Sequence, residues 1–258
     1  MSKGTSDSTG GDLEDFRPCI AVPVFNHRDA VEETLRELLA FGLRCIAVND
    51  GSSDGSAEVL DALGKNYPLL QVFHRPQNGG KGAAVLDALR LAEEQGATHV
   101  LFVDADRQHD SRDIPKFLEA ARANPRALIL GVPQFEADAP PARVYGREIS
   151  NVLACIQTLS LVKYDVLCGF RVYPLGRAYS VLASSVRSRR MEFDIEAVVR
   201  LRWSGISVVT IATAVRYPAG GLSHFRYARD NLMIASTHIR LLLGMLVRLP
   251  RLVGRAAW

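Results

Sequence analysis

Two carboxylates stand one residue apart behind a short apolar run, where His99-Val100-Leu101-Phe102-Val103 breaks into Asp104-Ala105-Asp106-Arg107-Gln108-His109. Carboxylates this close at the end of a buried strand repel each other unless a cation or hydrogen-bond donors offset the charge. A hard divalent cation does this well. Mg2+ binds through one or two carboxylates plus substrate phosphates, and Asp106 with Gln108 could supply such oxygens. His109 reads as a hydrogen-bond partner in preference to a metal ligand. A further carboxylate, Asp50, lies in Asn49-Asp50-Gly51-Ser52-Ser53-Asp54-Gly55, where a glycine turn and capping hydroxyls follow it. That pattern is as often a turn and N-cap as a site; its functional reading makes Asp50 the acceptor for ring donors of a nucleobase. The segment Arg75-Pro76-Gln77-Asn78-Gly79-Gly80-Lys81-Gly82 opens a helix, where unsatisfied backbone amides and Lys81 attract anions. It has neither GxxxxGK[ST] nor GxGxxG spacing, so ATPase and NAD-enzyme readings lose their main support.

These residues need a scaffold that gathers strand ends. From Cys19 onward, CIAVPV, RCIAVN, LLQVFH and HVLFV alternate with helical patterns at Asp29 to Phe41, Ser53 to Leu63 and Gly79 to Glu94. In the first helix Val31, Leu35, Leu38 and Leu39 share one face, with Glu32, Glu33, Arg36 and Glu37 elsewhere. Short strands with crossover helices predict an α/β domain whose ligands bind beyond the carboxyl ends of a parallel sheet. A fifth strand-like run, ALILGV, precedes PQFEADAPPARVYG, which reads as an active-site loop. A helix to Leu161, the run Cys168 to Tyr173, helices from Leu175 and over Glu192 to Trp203, and the strand ISVVTIATAV follow. The 258 residues, 48% hydrophobic and 23% charged, are enough for one large core and exclude disorder and fibrous repeats. The four cysteines form no CxxC pair and suit a reducing cytoplasm. Residues 1–15 read as a disordered polar leader.

Taken in order, Pro-Val-Phe-Asn, Asn-Asp-Gly-Ser-Ser-Asp, Asn-Gly-Gly-Lys-Gly, Asp-Ala-Asp-x-Gln-His and Cys168-Gly169-Phe170-Arg171 resemble the family 2 glycosyltransferases. The nearest branch is that of the dolichyl- or polyprenyl-phosphate sugar transferases, and the likeness runs from about Cys19 to Ala214. It implies a GT-A fold, a Rossmann-like, mostly parallel sheet flanked by helices, over residues 16–221. It also implies roles. Pro23, Phe25, Asn26, Asp50, Gly51, Ser52, Asn78, Gly80 and Lys81 would form the nucleotide pocket. Asp104 would touch ribose or metal, Asp106 and Gln108 would hold Mg2+ or Mn2+ on the donor diphosphate, and Arg171 would face a phosphate. Metal and phosphate clamps would do most of the catalysis in an inverting transfer from a UDP- or GDP-linked sugar. In Met191-Glu192-Phe193-Asp194-Ile195-Glu196, Asp194 is favoured as base or acceptor anchor and Glu196 comes next; helical geometry keeps Glu192, Asp194 and Glu196 from serving one site. A lipid phosphate acceptor is already largely ionised and needs no base. Two departures bear on the acceptor: His27 stands where the family often has Glu, and residues 216–226 differ from the closing Arg-x-x-Gly-x-Ser-Lys pattern of the dolichyl-phosphate branch.

The net charge of +3 is unevenly placed. Residues 222–258 carry Arg226, Arg229, Arg240, Arg248, Arg251 and Arg255 against Asp230 alone, so the remainder is net negative. Asn231 to Leu249 is helical in pattern and apolar over much of its surface, and the chain ends in Trp258. Arginines among leucines with a terminal aromatic suit a helix lying in lipid headgroups. Stacking aromatics are too few for nucleic acid. The alternatives are packing on the α/β domain or homo-oligomer formation. With no uninterrupted apolar run of eighteen residues, the expectation is an enzyme peripheral to the inner face of the cell membrane, acting on a lipid-linked acceptor, polyprenyl phosphate or a glycolipid hydroxyl. Two competing readings are a non-catalytic nucleotide-sugar-binding scaffold and a sugar-1-phosphate nucleotidyltransferase. The second would require an arginine-containing glycine-rich loop where PVFNH stands.

Overall fold

The computed structural model describes residues 15–135, 141–215 and 226–256. Seven strands form one sheet in the order β3-β2-β1-β4-β6-β5-β7. They are β1 (Pro18–Val24), β2 (Cys45–Asn49), β3 (Leu70–His74), β4 (His99–Phe102), β5 (Leu128–Phe135), β6 (Arg171–Pro174) and β7 (Val208–Val215). Neighbours run parallel except at β6, which is antiparallel to both β4 and β5. Strands β2 and β4 are buried at every residue, which is why they read as continuous apolar runs with no alternation.

The helices α1 (Arg28–Leu39), α2 (Ser56–Asn66), α3 (Lys81–Glu94), α4 (Ile114–Ala123), α5 (Pro141–Thr158), α6 (Leu175–Ser185), α7 (Phe193–Ser204) and α8 (Tyr227–Ala256) complete the described chain. Val31, Leu35, Leu38 and Leu39 of α1, with Leu60 of α2 and Phe117 of α4, share a core with one face of the sheet. Val85 and Leu89 of α3, Leu182 of α6 and Val198 of α7 fill the other. The result is a three-layer α/β/α sandwich, as expected. Two elements differ from the sequence reading. Helix α4 was not anticipated, and the antiparallel direction of β6 is invisible to residue periodicity, which is the same for either direction.

Helix α7 is buried on nearly every side, including Asp194 and Glu196. Helix α8 packs on α5 and α7. Its stripe Thr237, His238, Leu241, Met245 and Leu252 is buried, with helical spacing, whereas Leu232, Ile239, Leu243, Leu246 and Val247 are exposed. Among the described residues it is the one helix long and apolar enough to cross a membrane by length and composition. Its inner side is nevertheless engaged with the domain. Arg240 pairs with Glu196 and Arg248 lies over the Trp203 ring at 4.8 Å, so these two arginines face protein and not the headgroups the sequence suggested. The leader up to residue 14, the middle of the proline-rich loop, the divergent pattern at 216–225, the expected boundary at 221/222 and Trp258 lie outside the described residues.

Candidate active site

The chain steps from β1 outward to β2 and β3, then returns to place β4 on the other side of β1. Loops leaving β1 and β4 therefore diverge, opening a crevice at the carboxyl ends of the strands. A cavity of about 1170 Å³ occupies it, large for a small-molecule site. Asn26 and Arg107 adopt left-handed backbone conformations, φ 54° and 61°, just after β1 and β4. Such turns are uncommon outside glycine and direct the adjoining Phe25, Asp106 and Gln108 toward the cavity they line.

Asp50 is buried and its two oxygens accept from the backbone amides of Gly79 (2.8 Å) and Gly80 (2.7 Å), while Arg75 Nε lies 2.9 Å from Oδ1. Burial pushes its pKa up, against those amides and Arg75. Asp50 thus fastens the Asn78–Lys81 loop to the end of β2 as well as lining the cavity. Gly51, with φ 67°, allows that approach, because a Cβ there would sit 2.6 Å from the Asn78 amide nitrogen. Ser52 Oγ accepts from the Asn26 amide at 3.0 Å, and Asn26 Oδ1 accepts from the Ser53 amide at 2.8 Å. Of the residues assigned to the nucleotide, Pro23, Phe25, Asp50, Asn78, Gly80, Lys81 and Asp104 line the cavity, whereas Asn26, Gly51 and Ser52 stand behind it as loop ties.

At the centre, Lys81 Nζ lies 2.9 Å from Asp104 and 3.0 Å from Asp194. Burial opposes the lysine charge, but the two carboxylates outweigh it and push its pKa up. Burial likewise opposes charge on Asp104, yet Lys81 and His109 hold that carboxyl well below its usual range. His109 stacks on Phe170 with its Nε2 3.7 Å from Asp104. The cluster closes over Gly169, whose missing side chain makes room: a Cβ would meet Asp104 Oδ2 at 2.2 Å and Lys81 Nζ at 2.7 Å.

Asp194 projects into this cluster from the first turn of α7, and Arg171 backs it. Arg171 is buried, donates to the carbonyl oxygens of Cys168, Val166 and Asp194, and lies 3.5 Å from the Asp194 carboxylate. It does not line the cavity. Glu196 also points away, accepting from the Ser188 amide and pairing with Arg200 and Arg240. Glu192 accepts from the amides of Arg189 and Arg190. The three acids of this segment thus part company as a 3.6-residue period requires.

Asp106 accepts from the Gln108 amide at 3.0 Å, and burial followed by the Asp104 charge pushes its pKa up. A carboxylate so disfavoured as an anion is relieved by a cation, and with Gln108 on the same cavity wall the oxygen donors suit Mg2+ or Mn2+. Among the described residues no cluster of three or more His, Cys, Asp or Glu is arranged to hold a metal, so most ligands would come from substrate phosphates and water.

The other wall was not foreseen. Ile149 and Leu153 of α5, and Ile234, Ile239 and Leu242 of α8, give it an apolar surface, and Arg147, Arg190, Arg226 and Arg229 add basic groups. His27, beside the carboxylates, and His238 of α8 also line the cavity. In the sequence Ile149, Leu153, Ile234, Ile239 and Leu242 belong to amphipathic helices, and only the packing of α8 across α5 turns them toward the site.

An α/β/α sandwich with acidic residues after β4 at a topological switch point belongs to the class of open α/β proteins that bind ligands beyond the carboxyl ends of their strands. Residues 19–174 match the Glycosyl transferase family 2, and the chain belongs to that family. It is similar to an undecaprenyl-phosphate mannosyltransferase of Micrococcus luteus, 24% identical over 76% of this chain and 82% of that one. It is also 24% identical to a polyprenol monophosphomannose synthase of Mycolicibacterium smegmatis, over 76% of each chain. In fold it matches glucosyl-3-phosphoglycerate synthase of Mycobacterium tuberculosis, solved with Mn2+, UDP and phosphoglyceric acid, with TM-score 0.65 and 18% identity over 91% of this chain and 80% of that one. The expected GT-A fold and glycosyltransferase class therefore stand. Sugar-1-phosphate nucleotidyl transfer is set aside.

Proposed function

We propose that this glycosyltransferase moves a sugar from a nucleoside diphosphate onto a polyprenyl phosphate at a membrane surface, with inversion at the anomeric carbon. The observation that carries the reading is the two-sided cavity: carboxylates and the Asn78–Lys81 loop on one wall, an apolar wall with arginines on the other. A nucleotide-sugar suits the first and an amphiphilic phosphate the second. The similar mannosyltransferase and synthase carry polyprenyl phosphates in their names, which agrees.

In this reading Pro23, Phe25, Asp50 and Asn78 receive the nucleoside. Asp106 and Gln108, with Asp104, would hold a divalent cation, which when bound would supply charge neutralisation for the departing diphosphate. An acceptor phosphate oxygen forms the new bond to the anomeric carbon as the bond to the diphosphate breaks, its electron pair leaving with the nucleotide. The acceptor is already ionised, so no base is required. Asp194, held between Lys81 and Arg171, serves as an anchor that sets the Lys81 ammonium in place. Glu196 and Arg171 take supporting roles.

The exposed face of α8, continued by Tyr145, Ile149, Val152 and Ile156 of α5 and by Leu161 and Val162, supports placing the molecule against a lipid surface. The reading places the enzyme at the cytoplasmic face of that membrane. The test is calorimetric titration with UDP and GDP, each with Mn2+ and with EDTA, alongside transfer assays on vesicles containing polyprenyl phosphate. Binding of one nucleotide should need the metal, and Asp106→Ala should abolish that dependence and lower turnover by at least about 100-fold, the scale of losing a charge-stabilising group. Binding without turnover on any phosphate acceptor would favour the scaffold reading.

A further inference from the structure

The groups that the sequence offers as an anion cradle at the start of α3 are already engaged. The amides of Gly79 and Gly80 donate to Asp50, the Gly82 amide donates to the Arg189 carbonyl oxygen at 2.8 Å, and the Lys81 ammonium lies between Asp104 and Asp194. Of the arginines near the cavity, Arg147 is paired with Asp165, and Arg75 with Asp50 and Asp87. Arg226 and Arg229 stand exposed where α8 begins. Arg190 is different. It comes from the segment between α6 and α7, is half-buried and lines the cavity, and among the described residues no carboxylate pairs with its guanidinium. Its side-chain partner is neutral: Nη1 donates to Asn78 Oδ1 at 3.2 Å.

Close backbone packing sets this side chain in place. Gly80 has φ 93°, and a Cβ there would meet the Arg189 carbonyl oxygen at 2.4 Å and Arg190 Cγ at 2.7 Å, so Arg190 lies across the start of α3. A guanidinium has five N–H donors, and one of them goes to Asn78. The planar fork can give others to phosphate oxygens, with which arginine forms paired, charge-assisted hydrogen bonds. We infer that Arg190 donates to oxygens of the donor's diphosphate, so that one side chain ties the nucleoside loop at Asn78 to the leaving group. The donor is favoured over the acceptor because Arg190 touches Asn78 and Gly80 of the nucleotide wall, whereas the apolar residues suited to a lipid lie on α5 and α8. Negative charge grows on the diphosphate as its bond to the sugar breaks, and a guanidinium fixed beside it stabilises that state more than the bound donor. The inference rests on the nucleotide-sugar reading above and adds a binding residue to it.

The test titrates UDP, GDP, uridine and guanosine, all with Mn2+, into the full chain, Arg190→Gln and Arg190→Lys, and adds transfer kinetics with farnesyl phosphate as acceptor. The nucleoside diphosphate that the unaltered chain binds should bind about tenfold more weakly to Arg190→Gln, the scale of one charge-assisted hydrogen bond. Arg190→Lys keeps the charge without the fork and should lose less. Affinity for the matching nucleoside and the unfolding temperature should stay the same. Equal weakening of nucleoside and nucleotide would reduce Arg190 to a prop for Asn78 and overturn the inference. Unchanged nucleotide affinity would overturn it too, and a raised KM for farnesyl phosphate in that case would identify the phosphate held as the acceptor's. Binding of neither UDP nor GDP by the unaltered chain would remove the nucleotide-sugar reading, and this inference with it.

Discussion

Lys81 acts as a built-in cation between Asp104 and Asp194, and its position depends on a residue with no side chain. Gly169 permits the close approach, since any Cβ there would meet Asp104 and Lys81 inside contact distance. The obstacle is a charged cluster with little room to move, because Arg171 fills the space behind Asp194. Gly169→Ala should therefore displace Asp104 and lower kcat/KM by about 100-fold, corresponding to roughly 3 kcal/mol of lost transition-state stabilisation. Steady-state transfer kinetics beside a thermal melt would check this. A collapse in stability with unimpaired specific activity of the folded fraction would count against it.

At the scale of elements, α7 links the cluster of Lys81, Asp104 and Asp194 to α8. Its first turn sends Asp194 to the cavity, and Glu196, fully buried, meets Arg240 of α8 at 2.9 Å and Arg200 at 3.0 Å. Burial raises the Glu196 pKa, but the hydrogen bonds from Ser188 and the arginines prevail, and the net shift is downward. A carboxyl whose pKa is lower folded than unfolded contributes stability above its unfolded pKa, and that contribution is lost as pH falls through the folded value. Glu196→Gln removes a buried carboxylate from the half-buried Arg200 and Arg240, so it should cost about 2 kcal/mol near neutral pH. Urea unfolding of both proteins as a function of pH should show that gap closing toward acid. A gap independent of pH would show that Glu196 contributes through packing alone.

For the whole molecule, one end carries the exposed apolar faces of α5 and α8 beside the cavity mouth. Val247 is 82% exposed and Leu243 61%. A surface of this kind on a chain with basic residues at Arg229 and Arg251 should bind anionic vesicles. Replacing Leu243 and Val247 together with glutamate should reduce vesicle cosedimentation at least about tenfold, since each loses buried apolar area and meets like charge. Nucleotide binding in solution should not change, because neither residue lines the cavity. Undiminished cosedimentation would place the lipid contact elsewhere.

Much of this was legible in the chain. Buried strands and one-sided helices follow from local patterns of apolar residues, so the α/β architecture, the strand ends and the order of Asp50, Lys81, Asp104 and Asp106 along them could be read directly. The divergence of Glu192, Asp194 and Glu196 also follows, because a helix turns by a constant angle per residue. Contacts between distant segments could not be read. That Arg171 would turn inward to Asp194, that Ser52 and Asn26 would tie loops together, and that Arg240 and Arg248 would face protein depend on which partners packing brings within reach. The same holds for the apolar wall of the cavity: the residue types of α5 and α8 specify amphipathic helices, but their crossing decides that Ile149, Ile234 and His238 share one cavity. Side-chain periodicity is set along the chain, whereas the meeting of two faces is set by the shape of the core between them.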